Sequence, residues 1–151
     1  MFVSENLNVN EKGHLTIGGA DTVELAAEYG TPLYVMDEQT VRNACRRFND
    51  SIGKFYDGKG LACYASKAFS CLEMCRIVAS EGMGLDAVSI GELYTAVKSG
   101  FPMEKVGFHG NNKTDDELSY AVECGVGHII VDNISELLRL ENIASEKNAV
   151  P

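Results

Sequence analysis

From Leu61 onward the sequence repeats one order of signals: a short apolar run, a helix-capping signature, an amphipathic stretch and then glycine. The runs are Leu61–Ala65, Gly84–Val88, Val106–Phe108 and His128–Val131, of a length that suits strands buried on both faces. Each precedes a polar residue with glutamate three places on: Ser70 with Glu73, Ser89 with Glu92, Thr114 with Glu117, and Asn133 with Glu136. In such a capping box the first side chain accepts from an orphan backbone N–H and the glutamate bonds back. Gly82, Gly100 and Gly125 follow the first three amphipathic stretches, where a residue free to adopt positive φ closes the last turn. Strands alternating with helices of this length imply right-handed βαβ crossovers and a parallel sheet, so the class is α/β.

Two architectures share that period. Four βα units are half of an eight-fold barrel, which typically needs about 250 residues; a small doubly wound sheet of four or five strands is complete at this length. Asn148-Ala149-Val150-Pro151 follows the fourth helix as the start of another strand would. Before the repeat, Val23–Tyr29 reads as a short helix and Pro32–Met36 as a strand. Asp37 caps a helix running to about Asn49, and Asp50–Gly60, with three glycines, reads as a loop. The division expected is therefore a leader over residues 1–36, with a short helix and strand, and part of a barrel over residues 37–151.

Composition narrows the functional classes. Thirteen Lys and Arg stand against 22 Asp and Glu, a formal charge of −9, which makes a phosphate-tracking surface for nucleic acid an unsuitable reading. No run reaches the roughly 20 apolar residues of a membrane span, and the opening Met1-Phe2-Val3-Ser4-Glu5-Asn6 lacks a basic segment followed by an apolar one. A cytoplasmic protein is the expectation. The five cysteines have no disulfide-scaffold spacing, so reduced thiols are expected. Cys71 and Cys75 share a helix face and read as packing rather than as a metal or redox site.

The feature that bears most on chemistry is Tyr64-Ala65-Ser66-Lys67-Ala68-Phe69, a lysine directly after a strand and before a helix cap. In both candidate folds active sites are built at that carboxyl edge. A lysine with apolar neighbours on both sides loses solvation, which favours the free amine, a nucleophile toward aldehydes. A snorkelling strand-end lysine is the bland alternative. Asp86 lies in the second run, where its carboxylate faces the same edge as Lys67 or else caps a loop. Ser89 and Glu92 are explained by capping alone. His109, Asn111 and Asn112 follow the third strand as hydrogen-bonding groups at the mouth of the supposed site, or simply as a polar loop. His128, inside an apolar run, reads as a core histidine; His14 lies in an irregular leader. Gly82-Met83-Gly84 falls at a helix-to-strand turn, the wrong polarity for a dinucleotide fingerprint.

Tyr64–Phe69, Gly84-Leu85-Asp86-x-x-Ser89-x-Gly91-Glu92-Leu93 and Phe108-His109-Gly110-Asn111-Asn112-Lys113, with Gly30–Asp37 before them, together resemble the diaminopimelate decarboxylases over essentially all 151 residues. The resemblance implies a pyridoxal 5′-phosphate enzyme with an eight-stranded α/β barrel, a second, mostly β domain and a homodimeric full-length form. It implies decarboxylation of meso-diaminopimelate to L-lysine and CO2, the last step of bacterial lysine biosynthesis. It assigns Lys67 as the residue that holds the cofactor as a Schiff base and then serves in proton transfer, and it places Asp86 near the cofactor, with His109 and Asn111 as further cofactor-binding candidates. No metal is implied. In the resembling enzymes the phosphate-binding glycine loop, the acid facing the pyridine nitrogen and the substrate-carboxylate ligands come from later strands or the second domain, so the 151 residues alone are expected to be inactive. Related decarboxylases of ornithine, arginine or a carboxylated polyamine, and a non-catalytic pyridoxal-phosphate-binding barrel protein, are the alternative readings.

Overall fold

A computed structural model describes residues 4–149. They fall into two compact units that divide between Ala44 and Cys45. The possible fifth strand around Asn148–Pro151 lies partly outside the described residues.

The first unit holds an antiparallel sheet of three short strands, β1 (Leu7–Val9), β2 (Leu15–Ile17) and β3 (Ala20–Asp21), in that order. Helix α1 (Thr22–Tyr29) follows, as the apolar spacing predicts. Asp21 caps it by accepting from the backbone N–H groups of Val23 and Glu24. The same carboxylate accepts from Asn10 at 2.7 Å and lies 2.9 Å from His14 Nδ1. The segment read as an irregular leader is thus a small sheet with its own polar centre. His14 has a defined partner there. No strand forms over Pro32–Met36.

Helix α2 (Glu38–Tyr56) runs seven residues past the end expected at Asn49. Gly53 lies inside it, and the turn comes only at Asp57 and Gly58, both at positive φ. A single interior glycine costs a helix only about 1 kcal/mol, so it was no reason for the chain to leave the helix.

In the second unit, β4 (Cys63–Ala65), β5 (Gly84–Ala87), β6 (Val106–Phe108) and β7 (His128–Ile129) form a parallel sheet in sequence order. Helices α3 (Leu72–Ser80), α4 (Ile90–Ser99) and α5 (Asp115–Glu123) connect them, and α6 (Ile134–Glu146) follows β7. Each helix packs on the next, α3 on α4, α4 on α5 and α5 on α6, so all four cover one face of the sheet. A doubly wound sheet carries helices on both faces; a sector of a (β/α) barrel carries them on one. The barrel reading is the correct one.

Packing follows the pleat of the strands. Leu85, Ala87, Val106 and Phe108 are fully buried, as are Val78, Leu93, Ala96, Leu118 and Ala121 from the helices. Asp86 and Gly107, which alternate with those strand residues, are half-buried on the opposite face. The strands are therefore not buried on both faces, as the continuous apolar runs suggested. The register sets Ala65 beside Asp86, Asp86 beside Gly107, and Gly107 beside His128. His128, expected in the core, is exposed in that row.

Only one of the four expected capping boxes closes. Thr114 accepts from the N–H of Glu117, whose carboxylate accepts in return from the N–H of Thr114. In α3 the cap is Cys71 rather than Ser70, and Glu73 pairs with Arg76. In α4 and α6 the caps Ser89 and Asn133 act as expected, but Glu92 and Glu136 turn their carboxylates elsewhere.

Candidate active site

The carboxyl edge of the parallel sheet gathers the residues singled out by sequence. Lys67 lies in a single 3₁₀ turn, Ser66–Ala68, directly after β4. Its side chain is exposed, so the desolvation expected from its apolar neighbours is not present. Ser66, just before it, is 1% exposed and is fastened on both sides. Its Oγ lies 2.6 Å from Glu92 Oε2 and 2.9 Å from the carbonyl oxygen of Asp86. A hydroxyl has one proton to give, and the shorter, charge-assisted bond to the carboxylate is the stronger. The same Oε2 accepts from the backbone N–H of Val88 at 2.7 Å.

Asp86 joins this turn to the next loop. It sits within β5 rather than capping a loop, and its Oδ2 is 3.1 Å from His109 Nε2. His109 in turn donates its backbone N–H to the carbonyl of Ala87, which holds the β6–α5 loop against the end of β5. The next residue, Gly110, has φ +139, a conformation nearly closed to residues with a Cβ. Asn111 and Asn112 are exposed beyond it.

Lys113 closes the loop from beneath. Its ammonium donates to the carbonyls of Gly110 at 2.6 Å and Ile130 at 2.9 Å, and lies 2.8 Å from Glu136 Oε1. Lys113 is 3% exposed and Glu136 fully buried. The Glu136 contact is ionic rather than a directed hydrogen bond, and Oε2 has no donor among the described residues. One buried cation thus ties together the β6–α5 loop, the end of β7 and the first turn of α6.

The structure therefore brings Lys67, Asp86 and His109 to one edge, with Asn111 exposed beside them. Ser66, Lys113 and Glu136 are structural members of that edge that sequence reading did not single out. Ser66 and Lys113 stood inside the quoted motifs without a role, and the capping explanation accounted for Glu92 and Glu136 too readily. A polar residue one position from a strand-end lysine was the available signal for Ser66.

The residues present suit an aldehyde cofactor with a flat ring. An exposed lysine follows β4 at the edge, a carboxylate and an imidazole are paired on the neighbouring strand and loop, and Ala65 and Gly107 flank Asp86 with little side-chain bulk.

Comparison with known proteins gives the same direction. Residues 38–150 match the family model of the pyridoxal-dependent decarboxylases, pyridoxal binding domain. A diaminopimelate decarboxylase from Bacillus methanolicus is 50% identical over 148 residues, which is 98% of this chain and 34% of that protein. The chain spans about a third of the length of the curated relatives it matches. Among solved structures, diaminopimelate decarboxylase from M. jannaschii in complex with L-lysine superposes with a TM-score of 0.90 at 36% identity, over 98% of this chain and 35% of that one. The lysine/ornithine decarboxylase of Vibrio vulnificus complexed with putrescine shares the fold, with a TM-score of 0.70 at 22% identity over 82% of this chain and 33% of that one. With the family model of their pyridoxal binding domain matching residues 38–150, the chain belongs to the pyridoxal-dependent decarboxylases, whose cofactor is pyridoxal phosphate.

Proposed function

We propose that the protein carrying this chain decarboxylates meso-diaminopimelate to L-lysine and CO2, with pyridoxal phosphate held covalently by Lys67. The observation that carries the reading is the exposed Lys67 directly after β4 at the carboxyl edge of the sheet, with the Asp86–His109 pair on the neighbouring strand and loop. When bound, pyridoxal phosphate supplies an electron sink for the pair of electrons left behind by departing CO2.

The chain's own residues have separable tasks. Lys67 is the residue that would hold the cofactor's aldehyde group, and its amine would be the group at this edge that moves a proton. The Asp86 carboxylate favours positive charge on a nitrogen at that edge. It also orients His109 through the 3.1 Å contact, leaving Nδ1 of the imidazole to meet a polar group of cofactor or substrate. Asn111 offers an exposed amide for the same purpose.

Diaminopimelate is favoured over ornithine, arginine or a carboxylated polyamine by the identity to diaminopimelate decarboxylases, at 50% and 47% for two of them. The Vibrio vulnificus likeness, at 22% identity, speaks for the fold alone. The same reading makes the protein cytoplasmic, homodimeric and independent of nucleic acid; no described helix is long and apolar enough to cross a membrane. It also takes residues 1–36 as a leader to the barrel and expects negligible turnover from the 151 residues in isolation.

The test is borohydride reduction of the full gene product with pyridoxal phosphate, peptide mass mapping, and CO2 release from a panel of diamino acids. An adduct on Lys67 with CO2 evolved from meso-diaminopimelate is expected. CO2 from ornithine alone would replace the substrate assignment, and an adduct without CO2 from any diamino acid would make the protein a cofactor carrier.

A further inference from the structure

We infer that Glu92, acting through Ser66, is a positioning residue for Lys67; this rests on the proposed role of Lys67 as the cofactor-holding lysine. Sequence spacing explains Glu92 as the third residue of a helix capped by Ser89. Ser89 does accept from the Glu92 N–H, at 3.3 Å. The Glu92 carboxylate, however, does not return to its own cap. It reaches the N–H of Val88 at 2.7 Å and, across to the turn that follows β4, Ser66 Oγ at 2.6 Å.

That second bond lands on the residue next to Lys67. Lys67 itself stands exposed in a single 3₁₀ turn with no side-chain cap. An isolated 3₁₀ turn is a weak local structure, and a long lysine side chain has considerable rotamer freedom to lose on reacting. The anchored point is Ser66, 1% exposed, whose hydroxyl donates to the Glu92 carboxylate with the Asp86 carbonyl oxygen 2.9 Å away. Fixing the backbone one residue away fixes where the Lys67 stem leaves the sheet.

The other helices show that this contact belongs to a repeated device. Glu117, in the equivalent position of α5, accepts from the N–H of Ile90 at the start of α4 through a long 3.4 Å contact. Glu136, in the equivalent position of α6, meets Lys113 in the loop before α5. In each case the third-position glutamate latches its helix to the βα unit before it. Only the Glu92 latch ends beside the reactive lysine.

The experiment measures borohydride-trapped pyridoxal phosphate on Lys67 in the full gene product, with time, together with the visible absorption band of the lysine-bound cofactor. The proteins compared are wild type, Ser66→Ala, Glu92→Gln, the double variant and Glu117→Gln. Ser66→Ala and Glu92→Gln are each expected to slow trapping about tenfold or more, the worth of a hydrogen bond to a charged group. The double variant should be no slower than the slower single, because one change removes and the other weakens the same contact. Glu117→Gln should trap at the wild-type rate, since its latch does not touch the lysine turn. Circular dichroism and thermal melting verify folding; should Glu92→Gln fail to fold, the smaller Ser66→Ala change carries the comparison. Trapping at wild-type rate in Ser66→Ala, or equal slowing by Glu117→Gln, overturns the inference. Absence of any Lys67 adduct in the wild type would instead overturn the proposed function on which the inference rests.

Discussion

Lys113 Nζ lies 2.8 Å from Glu136 Oε1, with both side chains sealed from solvent. Removing one partner of a buried ion pair leaves the other charged and unsolvated, which costs about 3–5 kcal/mol. Lys113→Met and Glu136→Gln should each lower unfolding free energy by an amount of that order in denaturant titration. Replacing both by apolar residues should cost less than either single change. A loss below about 1 kcal/mol in the single variants would show that the pair carries no such load.

The small sheet near the N-terminus should respond to acid through Asp21. Shielding from water raises its pKa, but hydrogen bonds from His14, Asn10 and the N–H groups of Val23 and Glu24 outweigh this and hold it at about 2, below its ordinary 3.8. The ionised form therefore stabilises the fold above the ordinary value, and that stabilisation is lost as pH falls through 3.8 toward about 2. Carboxyl-detected NMR should place the Asp21 midpoint near 2, and Asp21→Asn should remove this part of the acid response. A midpoint at the ordinary value would contradict it.

Gly84 is held by its neighbours rather than by its backbone angles. A Cβ there would stand 2.7 Å from Cys63 Sγ, 2.8 Å from Leu61 Cδ2 and 2.8 Å from the Lys105 carbonyl oxygen. Gly127 is tighter still against the backbone of Glu104. Alanine at either position forces neighbouring segments apart, at a cost of about 1–3 kcal/mol for overpacking, with Gly127→Ala the worse because all of its close atoms are backbone. Thermal melts of the two variants beside Gly53→Ala, where nothing lies within 4 Å, make the comparison; an unchanged midpoint for Gly127→Ala would refute it.

The Asp86–His109 contact should matter to cofactor retention. Asp86→Asn keeps the shape but removes the charge, and should weaken pyridoxal phosphate binding about tenfold or more. Equilibrium dialysis of the cofactor is the measurement. His109→Gln, which loses the partner but leaves the carboxylate, should do less. Equal retention by all three proteins would separate the pair from the cofactor.

Much of this was legible in the sequence because the repeat reports on local physics. Apolar runs, polar caps and closing glycines such as Gly100, which ends α4 in a left-handed conformation, each act within a few residues. What sequence hid were contacts between elements. Glu92 and Glu136 satisfied a local rule so well that their long-range partners, Ser66 and Lys113, had no reason to be sought. Gly53 suggested a loop where α2 continues to Tyr56, and the strand runs suggested two buried faces where Asp86 and Gly107 alternate with Leu85 and Phe108. The Asn10–His14–Asp21 centre lacked any periodic signature, since its members meet only across a hairpin.

The glutamate latches have a bearing on how this part of the barrel can be recombined. Because Glu92 is bonded into the unit that carries Ser66, and Glu136 into the one that carries Lys113, the βα repeat is not the natural module of exchange. A chimaera with a relative that cuts between Ser66 and α4 separates a carboxylate from its donor, whereas one that transfers both partners together keeps each joint whole. Sequence drift at these positions should accordingly be correlated in pairs that straddle the repeat boundary.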